Sequence, residues 1–251
     1  MKRQILINAI LVSLFLVGTV STFSQKFSLG ARAGVDFGYL SNFSKLKSQA
    51  EESHGTVKQN MHTGFQGGIV AAYSFNKVLG LQGELIFDRK GEKLDYSYTY
   101  TGATKSAGMT TSFKENNTIT YLTIPILLKV GTEIGKFKIH GLLGPYIGIG
   151  IGGKVKFSGT GDIKDIDVKF EKAPENPTSD QQYEYLKRLD VGVTIGVEPA
   201  FTLGPGYIFL DVRYNYGLLD IQNPYKKPDG YFTRCNHTFG ISAGYMITFG
   251  K

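Results

Sequence analysis

A chain of 251 residues with 32 Gly, 15 Tyr, 17 Phe and no Trp carries roughly twice the usual share of glycine. Its 41% hydrophobic and 13% aromatic content excludes intrinsic disorder, and glycines without a three-residue period exclude collagen. A single cysteine excludes a disulfide scaffold and a cysteine zinc site, and a glycine- and aromatic-rich all-β protein, globular or membrane-bound, with a formal net charge of +7 is expected.

Residues 1–24 read as a secretory signal peptide and 25–251 as one β-barrel. Lys2 and Arg3 form the positive start, Ile5 to Val17 is the apolar run, and Thr22-Phe23-Ser24 places small residues at a cleavage site before Gln25. The run is short for a transmembrane helix, and no cysteine lies near the site to take a lipid anchor. Without Lys2 and Arg3 the exported chain keeps 26 basic and 21 acidic residues, a mild +5 with no basic cluster, so no nucleic-acid partner is expected.

Beyond the leader, apolar residues recur at period two instead of 3.6. From Phe27 to Tyr39 every odd position is apolar, and every even one is Gly, Ser or charged. The alternation returns over 65–75, 78–88, 121–130, 137–151, 190–203, 207–218 and 238–249. That predicts eight strands. Short turns at Asn76-Lys77, Gly131 to Lys136 and Gly204-Pro205-Gly206 alternate strictly with long connections over 40–64, 89–120, 152–189 and 219–237. This rhythm predicts an eight-stranded antiparallel up-and-down transmembrane barrel, with short periplasmic turns, long extracellular loops and both termini periplasmic.

Parity alone does not say which face points inward, because a soluble exported ligand-binding barrel alternates too. Volume decides. Roughly fifty apolar-face positions, mostly Leu, Ile, Val, Phe and Tyr, would overfill an interior that eight strands make just wide enough for side chains. The opposite face is rich in glycine, including Gly30, Gly34, Gly38, Gly144, Gly148 and Gly192, which suits a cramped lumen. Thirteen residues extend about 43 Å, or about 30 Å when tilted near 45°, enough for the apolar band. Lipid therefore meets the apolar face. The lumen then holds Arg32, Asp36, Gln66, Gln82, Glu84, Asp88, Lys129, Lys138, His140, Glu198, Asp211 and Arg213, whose two signs can pair into a plug with no open pore.

Tyr121-Leu122-Thr123-Ile124-Pro125-Ile126-Leu127-Leu128-Lys129 resembles the Y-L-x-I-P-L-L-L-K strand of the PorT-type outer-membrane β-barrel family of Bacteroidetes. Gly144-Pro145-Tyr146-Ile147-Gly148, the segment from Asp211 to Leu218 and the closing Asn236 to Tyr245 are similar to that family as well. The resemblance covers about 26–251. It implies an outer-membrane location and, for the namesake, support of a dedicated protein-secretion system. The end departs from the wider outer-membrane pattern, since Phe249 is followed by Gly250-Lys251 where a terminal aromatic is usual.

Chemical motifs are sparse. Gly148-Ile149-Gly150-Ile151-Gly152-Gly153 matches the dinucleotide fingerprint formally, but Lys154 to Phe157 continues the β alternation where a helix is needed. His54, His62, His140 and His237 lack metal-ligand spacing, so neither a metal nor another cofactor is expected. A lipid-modifying barrel enzyme would need Ser and an acid beside His140 or His237. No residue qualifies as catalytic, and a non-enzymatic structural, adhesive or assembly-supporting monomer is expected, with a secretion-system accessory and a barrel enzyme as alternatives. Partners are outer-membrane lipid and, through the loops, extracellular or secretion-system proteins. Cys235 stands alone, as an incidental thiol or an intermolecular link. Leu94, Tyr96, Tyr98 and Tyr100 alternate with polar residues and can pair with 111–121 in a hairpin with a tip near Gly102 to Gly108, an edge able to recruit a strand. The connection around Ala173 to Asp180 reads as solvent-exposed, and Asp180 to Arg188 as a short helix.

Overall fold

A computed structural model of the chain describes residues 26–99, 110–159, 164–175, 185–227 and 230–250. The signal peptide, the hairpin tip and most of the segment expected as a helix at 180–188 lie outside the described residues. The elements in chain order are β1 (Lys26–Leu40), α1 (Phe43–Glu52), β2 (Gly55–Ser74), β3 (Leu79–Thr99), β4 (Thr110–Ile134), β5 (Phe137–Gly159), β6 (Ile166–Asp167), β7 (Leu189–Leu203), β8 (Gly206–Gly217) and β9 (Asn236–Phe249). Eight of these strands close a ring of antiparallel neighbours, β1-β2-β3-β4-β5-β7-β8-β9, with β9 returning to β1 from Phe27↔Phe249 to Leu40↔Asn236. The two-residue β6 attaches to β5 outside the ring.

The three short turns form as expected. Asn76 ends β2 by accepting the amides of Val78 and Leu79 at 2.8 Å each, a side-chain-closed turn. Ile134 pairs Phe137 and Leu203 pairs Gly206, so the other two turns hold two residues each, with Gly135 (φ 62°) and Gly204 (φ 60°) supplying the left-handed backbone. Parity is also as expected. Leu29, Val35, Phe65, Ile69, Leu81, Ile126, Leu143, Ile195, Leu210 and Ile247 face outward and are exposed, while Arg32, Gln66, Glu84, Asp88, Glu198 and Asp211 are buried.

Residues 40–64 and 89–120 differ from the loops expected there. β2 to β5 run past the membrane band as a four-stranded sheet, paired Gly55↔Tyr98, Tyr98↔Thr111 and Phe113↔Gly159 at its outer end. The described part of the predicted hairpin, Leu94 to Thr99 against Thr110 to Glu115, is the centre of this larger sheet. Its inner face carries Tyr96, Tyr98 and Phe113, with Tyr96 and Phe113 stacked at 4.8 Å. α1 covers that face through Phe43, Leu46 and Ala50. These three apolar residues make too short a helical stripe to register as a 3.6 period. In the segment expected as a helix at 180–188, Tyr185 and Leu186 bridge Lys169 and Gln222 as extended chain, so its described end is not helical.

Bulges mark the change from barrel wall to free sheet. β2 carries an irregularity between Met61 and Gln66, and the β4–β5 register slips at Thr120/Tyr121. Such insertions bend and twist strands at barrel rims. The wall also folds inward there. A Cβ on Gly38 of β1 would sit 2.8 Å from the Gly91 carbonyl of β3, and one on Gly91 would sit 1.9 Å from the Asn117 carbonyl. Only bare backbone fits. Gly38→Leu is therefore expected to destabilise the barrel by about 1–3 kcal/mol through overpacking. A lowered midpoint of heat-modifiable gel migration in detergent checks this.

Candidate functional site

The lumen is filled by side chains in stacked tiers. Nearest the periplasmic turns, Val70, Ala72, Tyr207, Phe209 and Met246 form an apolar floor, a feature that a purely polar lumen does not include. Lys129 rises from it, pairing with Glu198 and donating to Gln82 Oε1 at 3.2 Å, with His140 Nδ1 3.6 Å from the same Glu198. Lys138 departs from the expected plug. It pairs with Glu133 at 2.7 Å on the periplasmic rim and stays partly exposed, because β5 begins only one residue earlier.

The middle tier is the tightest. Arg213 grips Glu84 with two bonds of 2.8 and 2.9 Å, and Asp211 with bonds of 2.7 and 2.6 Å. Arg32 reaches the same Glu84 at 3.1 Å, Asp211 at 3.3 Å and Gln66 at 3.0 Å, and Gln66 donates to Asp36 at 2.8 Å. β1, β2, β3 and β8 are thereby joined through side chains across the lumen. Two cations face two anions, and guanidinium forks suit that geometry. Above it, Lys90 pairs with Asp190 at 3.1 Å and Asp88 at 3.5 Å, and lies 4.5 Å from the Tyr146 ring centroid. Asn236 donates to Asp190 and to the Tyr121 hydroxyl at 3.2 Å each.

Sequence parity places Arg32, Glu84, Asp211 and Arg213 correctly in one cluster. It misses Lys90 and Asp190. Lys90 falls in a stretch read as loop, although its even number continues the inward parity of Glu84 and Asp88. Asp190 shares the parity of Gly192 and Glu198 but opens its strand, at the boundary with a stretch read as loop.

The extracellular cap begins above this tier. Glu92 pairs with Arg234 and accepts Gln59 Nε2 at 2.7 Å. Beside them lies a cavity of about 90 Å³. Its wall includes Leu94, Ile119, Val155, Leu186 and Ile221, and its polar side is Glu92, Glu115, Asn117, Gln222 and Arg234. Glu115 is 1% exposed and stands nine residues beyond Ile124, the outermost strongly exposed aliphatic residue of β4, so it lies outside the membrane band. Burial, reinforced by the negative charge of Glu92, pushes its carboxyl up to about 7, against the opposing Asn117 bond and the Arg234 charge.

The histidines do not converge. His62 meets Asn116 at 3.0 Å, His140 faces Glu198, and His237 meets the Tyr214 hydroxyl at 3.2 Å and stacks on Tyr39 at 5.3 Å. Neither His140 nor His237 is joined to a serine in these contacts. Gly148 to Gly153 lie inside β5, and a Cβ on Gly150 would strike the Phe170 ring at 2.4 Å, so this stretch is a strand packed under a loop. Cys235 is half-buried and free among the described residues, and burial raises its thiol pKa, which disfavours the reactive thiolate.

Two measurements test these assignments. Glu84→Gln leaves two buried guanidiniums short of one negative charge and is expected to cost about 3 kcal/mol or more, read as the unfolding midpoint in detergent. Glu115 titrates higher in the folded state than unfolded, so its contribution is full below the unfolded value near 4.5 and is lost as pH rises through about 7. Amide protection factors in α1 and the outer sheet, with the intrinsic pH dependence of exchange divided out, should therefore fall between pH 5 and 8, and Glu115→Gln should flatten that fall.

No curated protein matches the chain. Solved structures similar to it include Neisserial surface protein A from Neisseria (15% identity, TM-score 0.41, covering 89% of this chain and 97% of that one). Another is the outer membrane protein OprG from Pseudomonas aeruginosa (13% identity, TM-score 0.42, 91% and 97%). The outer membrane protease OmpT from Escherichia coli is also similar (9% identity, TM-score 0.33, 92% and 98%). A family model described as "outer membrane protein beta-barrel domain" matches residues 23–223. The chain belongs to the outer membrane protein beta-barrel domain family.

Proposed function

We propose that this chain is a non-enzymatic component of the outer membrane, structural, adhesive or assembly-supporting, that works by presenting its outer sheet to anionic surfaces. Export by the 1–24 leader and a place in the PorT-type branch of the family belong to this reading, supported by the leader's charge and apolar pattern and by the Tyr121 to Lys129 strand. The observation that carries the role is the outward face of the extracellular sheet. Cross-strand registers set Lys58, Asp95 and Lys114 in one row and Asn60, Lys93, Asn116 and Lys156 in the next. Lys58, Lys114 and Lys156 are exposed, and the single acid accepts a 3.2 Å bond from Asn60. Lysines two strands apart lie roughly 10 Å from each other, a spacing at which one extended polyanion can meet several. The filled lumen below offers rigidity in place of transport.

Lys58, Lys93, Lys114 and Lys156 changed together to Gln should leave heat-modifiable migration unchanged and weaken binding of the purified protein to a sulfated polysaccharide at least tenfold. The wild-type binding should fall steeply with salt. Equal binding by wild type and the fourfold variant contradicts the role assigned to this face.

A further inference from the structure

The periplasmic opening of the lumen holds a cavity of about 130 Å³, ringed by residues of β1, β2, β4, β5, β8 and β9 and of the turn after β2. Lys26, Lys77, Lys129 and Lys138 line it. Among the described residues, Glu133 is the one carboxylate of that lining, and Glu198 stands behind Lys129. The deeper tiers are balanced the other way. Arg32 and Arg213 share theirs with Asp36, Glu84 and Asp211, Lys90 meets Asp88 and Asp190, and Arg234 lies between Glu92 and Glu115. Each of those tiers has at least as many acids as cations, whereas the mouth sets four lysines against two carboxylates.

Two of the four ammoniums are fixed. Lys129 pairs with Glu198 and donates to the Tyr207 hydroxyl at 3.4 Å, and Lys138 pairs with Glu133 at 2.7 Å. Both lie 5.3 Å from the centroid of the Tyr207 ring, so a single aromatic side chain holds two cations. Lys26 and Lys77 are exposed, and neither has an ion-pair partner among the described residues, Lys26 acting on Glu133 only at longer range. Lys26 keeps the inward parity of Ser28 and Arg32, which turns it to the opening. Asn76 spends its Oδ1 on the amides of Val78 and Leu79, which leaves its NH2 group to donate. Like charges gathered between low-dielectric walls focus a positive potential on the opening. The excess is therefore within reach of a solute.

We propose that this mouth binds a small divalent oxyanion dissolved in the periplasm, inorganic phosphate being the type, with Lys26, Lys77 and Lys138 as its cationic partners. A cavity of about 150 Å³ admits benzene with its six non-hydrogen atoms, so about 130 Å³ accommodates a tetrahedral anion of five. Each lysine offers three donors and no acceptor, and meets a phosphate as a point charge from whichever side it lies. A lipid headgroup carries the same chemistry, but the surrounding strands separate this cavity from the bilayer, which makes the dissolved anion the occupant. The site lies at the opposite end of the barrel from the outer lysine face, so the two stand or fall independently.

The test titrates inorganic phosphate into the full-length protein in detergent at pH 8, by calorimetry and phosphorus NMR. Saturable one-to-one binding is expected, at least tenfold tighter than that of acetate and weakened by added salt. Lys26→Gln and Lys77→Gln should each weaken it, and together at least tenfold, with heat-modifiable migration unchanged. Lys136→Gln removes an exposed lysine of the neighbouring turn that does not line the cavity, and should leave the affinity as it is. Glu133→Gln removes the competing carboxylate and frees Lys138, so binding should tighten. The affinity should also be the same in bilayer discs of neutral and of anionic phospholipid. Absence of saturable binding, full affinity in the double variant, an equal loss from Lys136→Gln, or weaker binding in Glu133→Gln overturns the proposal. Competition by the anionic discs assigns the mouth to a lipid headgroup and overturns the dissolved occupant.

Discussion

A charged lumen between eight strands has little water with which to solvate its ions, so those ions must solvate each other, and the rest of the molecule is arranged around that constraint. Glu84 is the centre of the solution. It receives three guanidinium bonds from Arg32 and Arg213, and Asp211 takes up further donors of the same pair. Removing either sign strands the other in a medium where an unpaired charge is far more costly than the pair is favourable. The outward face answers the opposite demand. Lipid cannot hydrogen-bond, so the backbone polar groups close into a ring without edges and the aliphatic side chains turn outward. Both demands are met by one period-two pattern.

The extracellular end is governed differently because water returns there. Sheet edges become tolerable, and β2 to β5 continue past the point where the ring ends. Bulges at Met61/Gln66 and Thr120/Tyr121 release the strands from barrel geometry, and α1 with Leu186, Ile221 and Arg234 covers the inner face. Contacts in this cap are mostly apolar, with Glu92, Glu115 and Arg234 embedded among them. That mixture gives the cap a titratable element within the physiological range, which the membrane-embedded tiers below do not need for their packing.

How much of this is legible from residue order depends on the scale of the signal. Strand parity is local and redundant, so the eight strands, the outward aliphatic face, the short turns and the Arg32–Glu84–Arg213–Asp211 set can all be anticipated. Strand ends on the loop side cannot, since Val57, Gln59 and Met61 alternate too weakly beside glycines and polar residues to separate strand from loop. α1 escapes because Phe43, Leu46 and Ala50 form barely two turns of an apolar stripe. The cavity brings Glu115 of β4 against Gln222 and Arg234, which are more than a hundred residues distant, and no spacing rule connects them. Lys138 illustrates the converse: correct parity does not ensure burial when a residue stands at the rim.

The central claim is that successive positions of each strand meet lipid and lumen in turn. It is tested most directly by spin labels placed singly along β4, from Leu122→Cys to Val130→Cys in a Cys235→Ser background, with the protein in lipid bilayers and collision with lipid-dissolved oxygen measured at each site. The structure requires accessibility to oscillate with a period of two, high at Ile124, Ile126, Leu128 and Val130 and low at Thr123, Pro125, Leu127 and Lys129. A flat profile, or one with the opposite phase, contradicts it.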